Sequence, residues 1–288
     1  MTVARQPDAE VPVRRRLPGA RVLSDGSVLY WWGEIILALV FYSVYSAIRN
    51  ANFGGRAEAF ANARALIDVQ EFFGISHEQV LQEWALHVKP LIIAANYFYG
   101  SLHFVVTIGV MVYLFTRWRD DYPLWRNTLA VTTALALIGF TFWPLMPPRL
   151  LPDSYGYVDT LARYPTFWSF NSGAVNRISN QYAAMPSVHC AWALWCACVL
   201  VPRVRRRWAK WLAGAYPVAT VTVIVLTGNH YVLDAVGGFT VLLIGFLLAR
   251  RFTRAGRGAR PSALPSDPSE PPHAGELRRP ADDASPAP

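Results

Sequence analysis

Apolar residues in this chain come in long blocks, not in the period-2 alternation of a half-buried strand. Six blocks approach the roughly 20 residues needed to cross a hydrocarbon layer. They cover 28–47, 91–115, 127–145, 186–201, 212–227 and 230–248. The fourth and fifth are short, and Pro217 interrupts the fifth. Neighbouring helices can satisfy the carbonyl that a proline frees. The pattern predicts an all-α integral membrane protein with six transmembrane helices, its membrane domain spanning 27–252. Residues 1–26 and 253–288 are rich in Pro, Ser, Ala and Arg and read as disordered tails.

Two connecting segments are too long for simple turns. Residues 50–88 predict two amphipathic helices split at Gly74. Phe60, Leu66, Ile67 and Phe73 mark an apolar face of the first. The second opens on a capping-box pattern, Ser76, His77, Glu78, Gln79, and continues with Val80, Leu81 and Trp84. This pair is expected to lie in the outer membrane interface as a packing cap, the alternative being a lid or lipid entrance. Residues 146–185 are polar, aromatic and turn-rich, and a loop of that length between spans is expected to be functional.

Composition supports the membrane reading: 53% of residues are apolar and only 16% are charged. Of the 27 Lys and Arg residues, 20 fall in the two tails and in the loops after spans two and four, and 7 on the opposite side. The positive-inside rule then places both termini in the cytoplasm. The same bias accounts for the net charge of +8, so no nucleic-acid partner is expected. No cleavable leader is legible, and the first span reads as an uncleaved anchor. Trp31, Trp32, Trp118, Trp125, Trp208 and Trp211 lie at span ends and read as interfacial anchors. The three cysteines, Cys190, Cys196 and Cys198, all lie in the fourth span and read as packing residues. Arginine outnumbers lysine 25 to 2, as expected of a GC-rich bacterial genome.

Two short runs carry chemistry: Ala184, Met185, Pro186, Ser187, Val188, His189, and Gly228, Asn229, His230, Tyr231, Val232, Leu233, Asp234. Both stand at the mouths of apolar spans, where ionisable residues are costly and mark function. Asn229 suits the cap of a helix starting at His230, which puts His230 and Asp234 at i and i+4 on one face. The carboxylate then fixes the imidazole tautomer and leaves the other ring nitrogen free to attack. Pro186 suits the first position of the next helix, whose N-terminus favours an anion. Ser187 adds a hydroxyl donor, and His189, about one turn inside, is placed for general acid and base work. Arg149, directly after the third span, brings a guanidinium that grips two phosphate oxygens. Two histidines and a carboxylate also form a metal-ligand set, but Asp234 is committed to His230 and no second acidic cluster is present. No metal and no other cofactor is expected.

These runs resemble the type 2 phosphatidic acid phosphatase superfamily. Its second motif, Pro-Ser-x-His, matches Pro186, Ser187 and His189. The His-x-x-x-Asp of its third matches His230 and Asp234, and the arginine ending its first matches Arg149. The resemblance covers about residues 90 to 248. It implies His230 as nucleophile, Asp234 as its orienting partner, His189 as acid/base, and a phospholipid or other lipid phosphate as substrate in the bilayer. There are departures: Phe142 stands where the family has a lysine, and Val223 and Ile224 where it has Ser-Arg. Arg177, Asn180, Gln181, Tyr182 and Asn229 are the candidate replacements for those lost contacts. The same departures resemble the branch containing inositol phosphorylceramide synthases, which transfer a phosphorylated headgroup to an alcohol. The expectation is a multi-pass cell-membrane enzyme with an extracytoplasmic active site. It works through a phosphohistidine and transfers a phosphoryl-containing headgroup to an alcohol such as inositol. The alternatives are a lipid-phosphate phosphatase using water, and a non-catalytic headgroup-binding membrane protein.

Overall fold

The computed structural model describes residues 18–51, 55–166 and 181–258, and it is mostly helical. The chain opens on a hairpin of β1 (Ala20–Val22) and β2 (Val28–Tyr30). Part of the segment that composition reads as a tail, from residue 20, thus belongs to a hairpin. The Asp120 carboxylate accepts a hydrogen bond from the Ser24 amide (2.7 Å), tying the hairpin to the far loop of the bundle. At the other end the last helix continues past the boundary expected at 252, to Gly258.

Helix α1 (Trp31–Ala51) presents Ile35, Ile36, Leu37, Leu39 and Val40 to the outside. Such a surface belongs in lipid, where apolar side chains face the solvent. Polar contacts hold its near end: Glu34 accepts from Arg126 (2.6 Å) and from the Tyr122 hydroxyl (3.0 Å). Next come α2 (Arg56–Phe72) and α3 (Glu78–Leu86). Helices α4 (Lys89–Tyr97) and α5 (His103–Arg117) are joined by a π-turn, Phe98–Leu102, into one continuous span. Then follow α6 (Tyr122–Phe142), the short α7 (Thr160–Arg163), α8 (Val188–Arg203), α9 (Arg207–Leu226) and α10 (Val232–Gly258). Helix α9 runs unbroken through Pro217.

Four of the described helical segments are long and apolar enough to cross a membrane: Trp31–Arg49, Lys89–Arg117, Arg207–Leu226 and Val232–Arg254. The other two predicted crossings fall short for different reasons. Helix α6 has the length, 21 residues, but Arg126, Asn127 and four threonines dilute it. Helix α8 is 16 residues, about 24 Å at 1.5 Å per residue, against a hydrocarbon core of about 30 Å.

Helices α5, α6, α8 and α10 share the main core of Val110, Leu114, Tyr122, Ala191, Trp195, Val199 and Leu242. Trp125, expected at the interface, turns inward onto Trp195 and Phe246, and its carbonyl accepts from the Trp195 indole (3.0 Å). Trp31, Trp32, Trp118, Trp208 and Trp211 are exposed. Small residues permit close approach. A Cβ on Gly245 would lie 2.4 Å from Thr132 Oγ1, and one on Gly238 would lie 2.4 Å from the Ser187 carbonyl.

Helix α2 keeps the expected amphipathic pattern except at Phe73, and α3 reverses it. Phe60, Leu66 and Ile67 do pack inward, but Phe73 is exposed. In α3 the apolar Val80, Leu81 and Trp84 point out, while Glu78, Gln82 and Ala85 are buried. The capping box does not form, since His77 is the N-cap and makes no side-chain cap bond. Glu78 is turned instead toward another helix.

Candidate active site

The turn between α9 and α10 holds one histidine in place through its backbone. Thr227 ends α9, and Gly228 takes the left-handed conformation (φ 65°) that follows many helix C-termini. The amides of Asn229 and His230 both return to the Ile224 carbonyl (3.0 and 3.2 Å). The Gly228 carbonyl accepts from the Arg149 amide (2.8 Å), and the Thr227 carbonyl from the Thr160 hydroxyl (3.0 Å). Asn229 does not cap α10, which starts at Val232; its side-chain amide donates to Thr227 Oγ1 (2.8 Å).

His230 therefore precedes the helix and does not share a helical face with Asp234. The pairing still forms: His230 Nδ1 lies 3.2 Å from Asp234 Oδ2. A carboxylate oxygen can only accept here, so Nδ1 carries the proton and Nε2 is left free. The same oxygen accepts from the Tyr231 amide (3.0 Å), so Asp234 holds both the ring and the backbone beside it. The pair is deeply buried, His230 being 4% and Asp234 0% exposed. The Tyr231 phenol is held above its usual range by burial first and by Asp234 second, and its hydroxyl donates to the Met146 carbonyl (3.0 Å).

The free amides at the start of α10 are met from α2 and α3. Glu78 Oε1 accepts from the Val232 amide (3.0 Å) and from Gln70 Nε2, while Gln70 Oε1 accepts from the Leu233 amide (3.2 Å). Gln82 exchanges two hydrogen bonds with the Val158 backbone (2.9 and 3.0 Å). Tyr157 belongs to the same layer; burial first, then the Glu78 charge, raises its phenol. The outer helices thus cap the helix that carries Asp234.

Helix α8 starts at Val188, two residues later than the proline suggests. Ser187 is its N-cap and accepts from the Cys190 amide (3.4 Å). His189 is accordingly in the first turn, not a full turn inside. Ser187 is fully buried, and its amide donates to the Asp234 carbonyl (2.9 Å), locking the two runs together. Pro186 packs on Gly139 and Gly237; a Cβ on Gly139 would lie 2.4 Å from Pro186 Cδ, so that contact needs glycine.

The His189 ring centroid lies 5.6 Å from that of His230, at 62°. Two further residues without any motif join them. Tyr99, in the π-turn, stacks on His189 at 4.3 Å and 21°. His103 lies 4.2 Å from His189, centroid to centroid, and its Nδ1 donates to the Tyr99 carbonyl (3.1 Å). The wide turn is the one signal that singles them out, as such turns gather at functional sites.

Arg149 comes close to the His230 turn, its Cβ lying 3.5 Å from where a Gly228 Cβ would be. Its Nη1 pairs with Asp159 (2.9 Å), and its buried Nε has no partner among the described residues. Asp159 also caps α7 through the amides of Leu161 and Ala162. Of the candidate replacements for the missing charges, Gln181 and Tyr182 lie just before the Ala184 run, and both make interactions within the structure. Arg177 and Asn180 lie outside the described residues. Of the two positions at which the resemblance leads one to expect a charge, Phe142 is exposed and Ile224 is fully buried in the core. Among the described residues no group of three or more His, Cys, Asp or Glu side chains is arranged to hold a metal ion.

The constellation pairs an oriented imidazole with a second imidazole and a guanidinium, all at one end of the helix bundle. No curated protein and no solved structure matches the chain. The family model of the PAP2 superfamily matches residues 64–248, from within α2 to within α10. That stretch takes in Arg149, His189, His230 and Asp234 together with the capping residues Gln70, Glu78 and Gln82, and it is more than half of the chain: the protein belongs to the PAP2 superfamily.

Proposed function

We propose that the protein is a lipid phosphotransferase working through a phosphohistidine on His230. The observation that carries this reading is the buried His230–Asp234 pair with His189 facing it at 5.6 Å. His230 Nε2 attacks phosphorus, and the P–O bond to the leaving group breaks. His189 gives its proton to the leaving oxygen. In the second half-reaction His189 removes a proton from the acceptor hydroxyl, which attacks the phosphohistidine and frees His230. Arg149 neutralises charge on the phosphoryl oxygens as the bond breaks. Asp234 keeps the His230 proton on Nδ1 throughout.

Superfamily membership supports a lipid phosphatase-type membrane protein. Transfer to an alcohol such as inositol, in preference to water, is supported by the enclosure of the site. His230 is 4% exposed, and α7 with residues 146–159 is bonded down onto its turn. Exclusion of water protects a reactive intermediate from hydrolysis. The second reading, a phosphatase with water as acceptor, is favoured by the family match itself.

The chain crosses the membrane six times in this reading, with α6 and α8 held between the four longer spans. Arg117, Arg203, Arg205, Arg206, Arg207 and Lys210 cluster at the end opposite His230, which makes that end cytoplasmic and the site extracytoplasmic. The deciding experiment feeds purified enzyme a labelled phospholipid with and without candidate alcohols, in the presence of chelator. A new phosphorylated alcohol or phospholipid is expected. Inorganic phosphate as the only phosphorylated product across a broad acceptor panel would leave the phosphatase and remove the transferase.

A further inference from the structure

We propose that the end of the bundle opposite His230 holds a second, non-catalytic site: a cleft for the phosphate headgroup of an anionic phospholipid. The cleft is open, has a volume of about 540 Å³, and lies between the end of α5 and the α8–α9 connection. That volume is within the range of about 300–1,000 Å³ usual for small-molecule sites. Arg117, Arg203, Arg205 and Arg206 line it, with Tyr113 and Trp118 as its aromatic wall. None of the residues assigned to the reaction is among them.

The four arginines divide into a fixed one and three free to engage a ligand. Arg203 Nη1 donates to the Val199 carbonyl (2.9 Å) and Nη2 to the Asp121 carboxylate (2.5 Å). Its guanidinium lies 5.5 Å from the Trp118 ring and 5.7 Å from the Trp125 ring, and its buried Nε has no partner among the described residues. The Trp118 indole donates to the Tyr113 hydroxyl (3.1 Å), which steadies the wall. Arg117, Arg205 and Arg206 are exposed, and among the described residues no carboxylate pairs with them.

A helix start sharpens the demand for an anion. Helix α9 begins at Arg207 on Arg206 as N-cap, which makes no side-chain cap bond, and its first turn holds no acidic residue. Ala209 of that turn lines the cleft. A helix N-terminus is partially positive and favours a carboxylate or a bound anion. Here the sequence sets Arg205, Arg206 and Arg207 against it, like charge on like. Membrane orientation asks only for basic residues on this side. It does not ask them to converge on one cleft at a helix start. A phosphate there meets the guanidinium forks and the helix end together.

The aromatic residues favour a phosphate carried by a lipid. Trp118, Trp208 and Trp211 are exposed at this end, as expected at the depth of headgroups. A phospholipid can place its phosphate in the cleft while its chains stay in the hydrocarbon. In the orientation proposed above, the only part of that reading used here, it comes from the cytoplasmic leaflet, whose surface is anionic.

The test is native mass spectrometry of the purified full-length protein in neutral detergent, titrated with phosphatidylglycerol or with zwitterionic phosphatidylcholine. Wild type is expected to bind phosphatidylglycerol at least about 10-fold more tightly, and less so as salt is raised. Arg117→Gln, Arg205→Gln and Arg206→Gln are each expected to weaken it about 5-fold, and the triple variant roughly 100-fold. Should the triple variant fail to fold, the single variants carry the test. Arg251→Gln and Arg254→Gln, exposed on α10 outside the cleft, are expected to change affinity less than about 2-fold. Arg149→Gln, at the His230 end, is expected to leave this affinity intact, which separates the cleft from lipid in the active site. Equal losses at Arg251 or Arg254 would mean a diffuse basic surface and overturn the proposal, as would equal binding of the two lipids. Inorganic phosphate or glycerol phosphate that displaced the lipid at equal concentration would assign the cleft to a soluble anion and overturn it too. These results do not depend on orientation. Reversed thiol labelling of intact cells with the selectivity intact would overturn the leaflet and leave the cleft.

Discussion

At the scale of single residues, the site depends on proton positions that neighbours dictate. Asp234 Oδ2 binds His230 Nδ1 and the Tyr231 amide, so one carboxylate sets both the tautomer and the approach of the loop. Asp234→Asn keeps the size but turns an obligatory acceptor into a group that also donates. We expect turnover to fall by roughly 100-fold or more with the protein still folded, measured as kcat against a thermal melt. Near-wild-type kcat would show that the imidazole needs no orienting carboxylate. Arg149, His189, His230 and Asp234 were legible in the sequence because each sits in a short local run beside a proline, glycine or serine that shapes the chain. Tyr99 and His103 were not. They occupy an apolar block with no punctuation, and only the π-turn, which no residue type announces, brings them to His189.

At the scale of elements, the outer helices α2 and α3 act on α10 through polar groups. Glu78→Ala removes the acceptor of the Val232 amide and of Gln70 Nε2, leaving buried donors unmet. The expected cost is about 1–3 kcal/mol of stability, seen in chemical or thermal unfolding. A loss of activity beyond the unfolded fraction should accompany it, because the first turn of α10 carries Asp234. A variant with unchanged stability would mean that Glu78 does not cap α10. The two helices and the inward face of α2 were predictable from periodicity, but the way α3 faces was not. In water the apolar stripe of a helix turns to the core. Here Val80, Leu81 and Trp84 are exposed and Glu78 and Gln82 buried, because the groups to be met inside are the amides of Val232 and Val158. The same inversion explains why Ser76 to Gln79 looked like a local cap when Glu78 serves a helix more than 150 residues away.

At the scale of the whole molecule, the described residues form a helical bundle with the candidate reactive groups gathered at one end and most of the described arginines at the other. In a background without Cys190, Cys196 and Cys198, cysteine introduced at Ser154 should react with an impermeant thiol reagent on intact cells. Cysteine at Lys210 should react only after lysis; both positions are exposed. The opposite pattern would reverse the membrane orientation and the leaflet from which substrate is drawn. Crossing number was harder to read than the helices themselves, since α8 is short and α6 is diluted by polar residues, so that four described segments, not six, have the length and hydropathy to cross. The central claim is that phosphorus is carried on His230 Nε2. The most direct measurement is to mix enzyme with phospholipid labelled at the transferred group, quench within the first turnovers, and map the label by mass spectrometry. We predict a base-stable, acid-labile adduct on the peptide containing His230, formed in the presence of chelator and absent from His230→Ala. Turnover without any adduct under those conditions, or an adduct on His189 or His103 instead, would contradict the account.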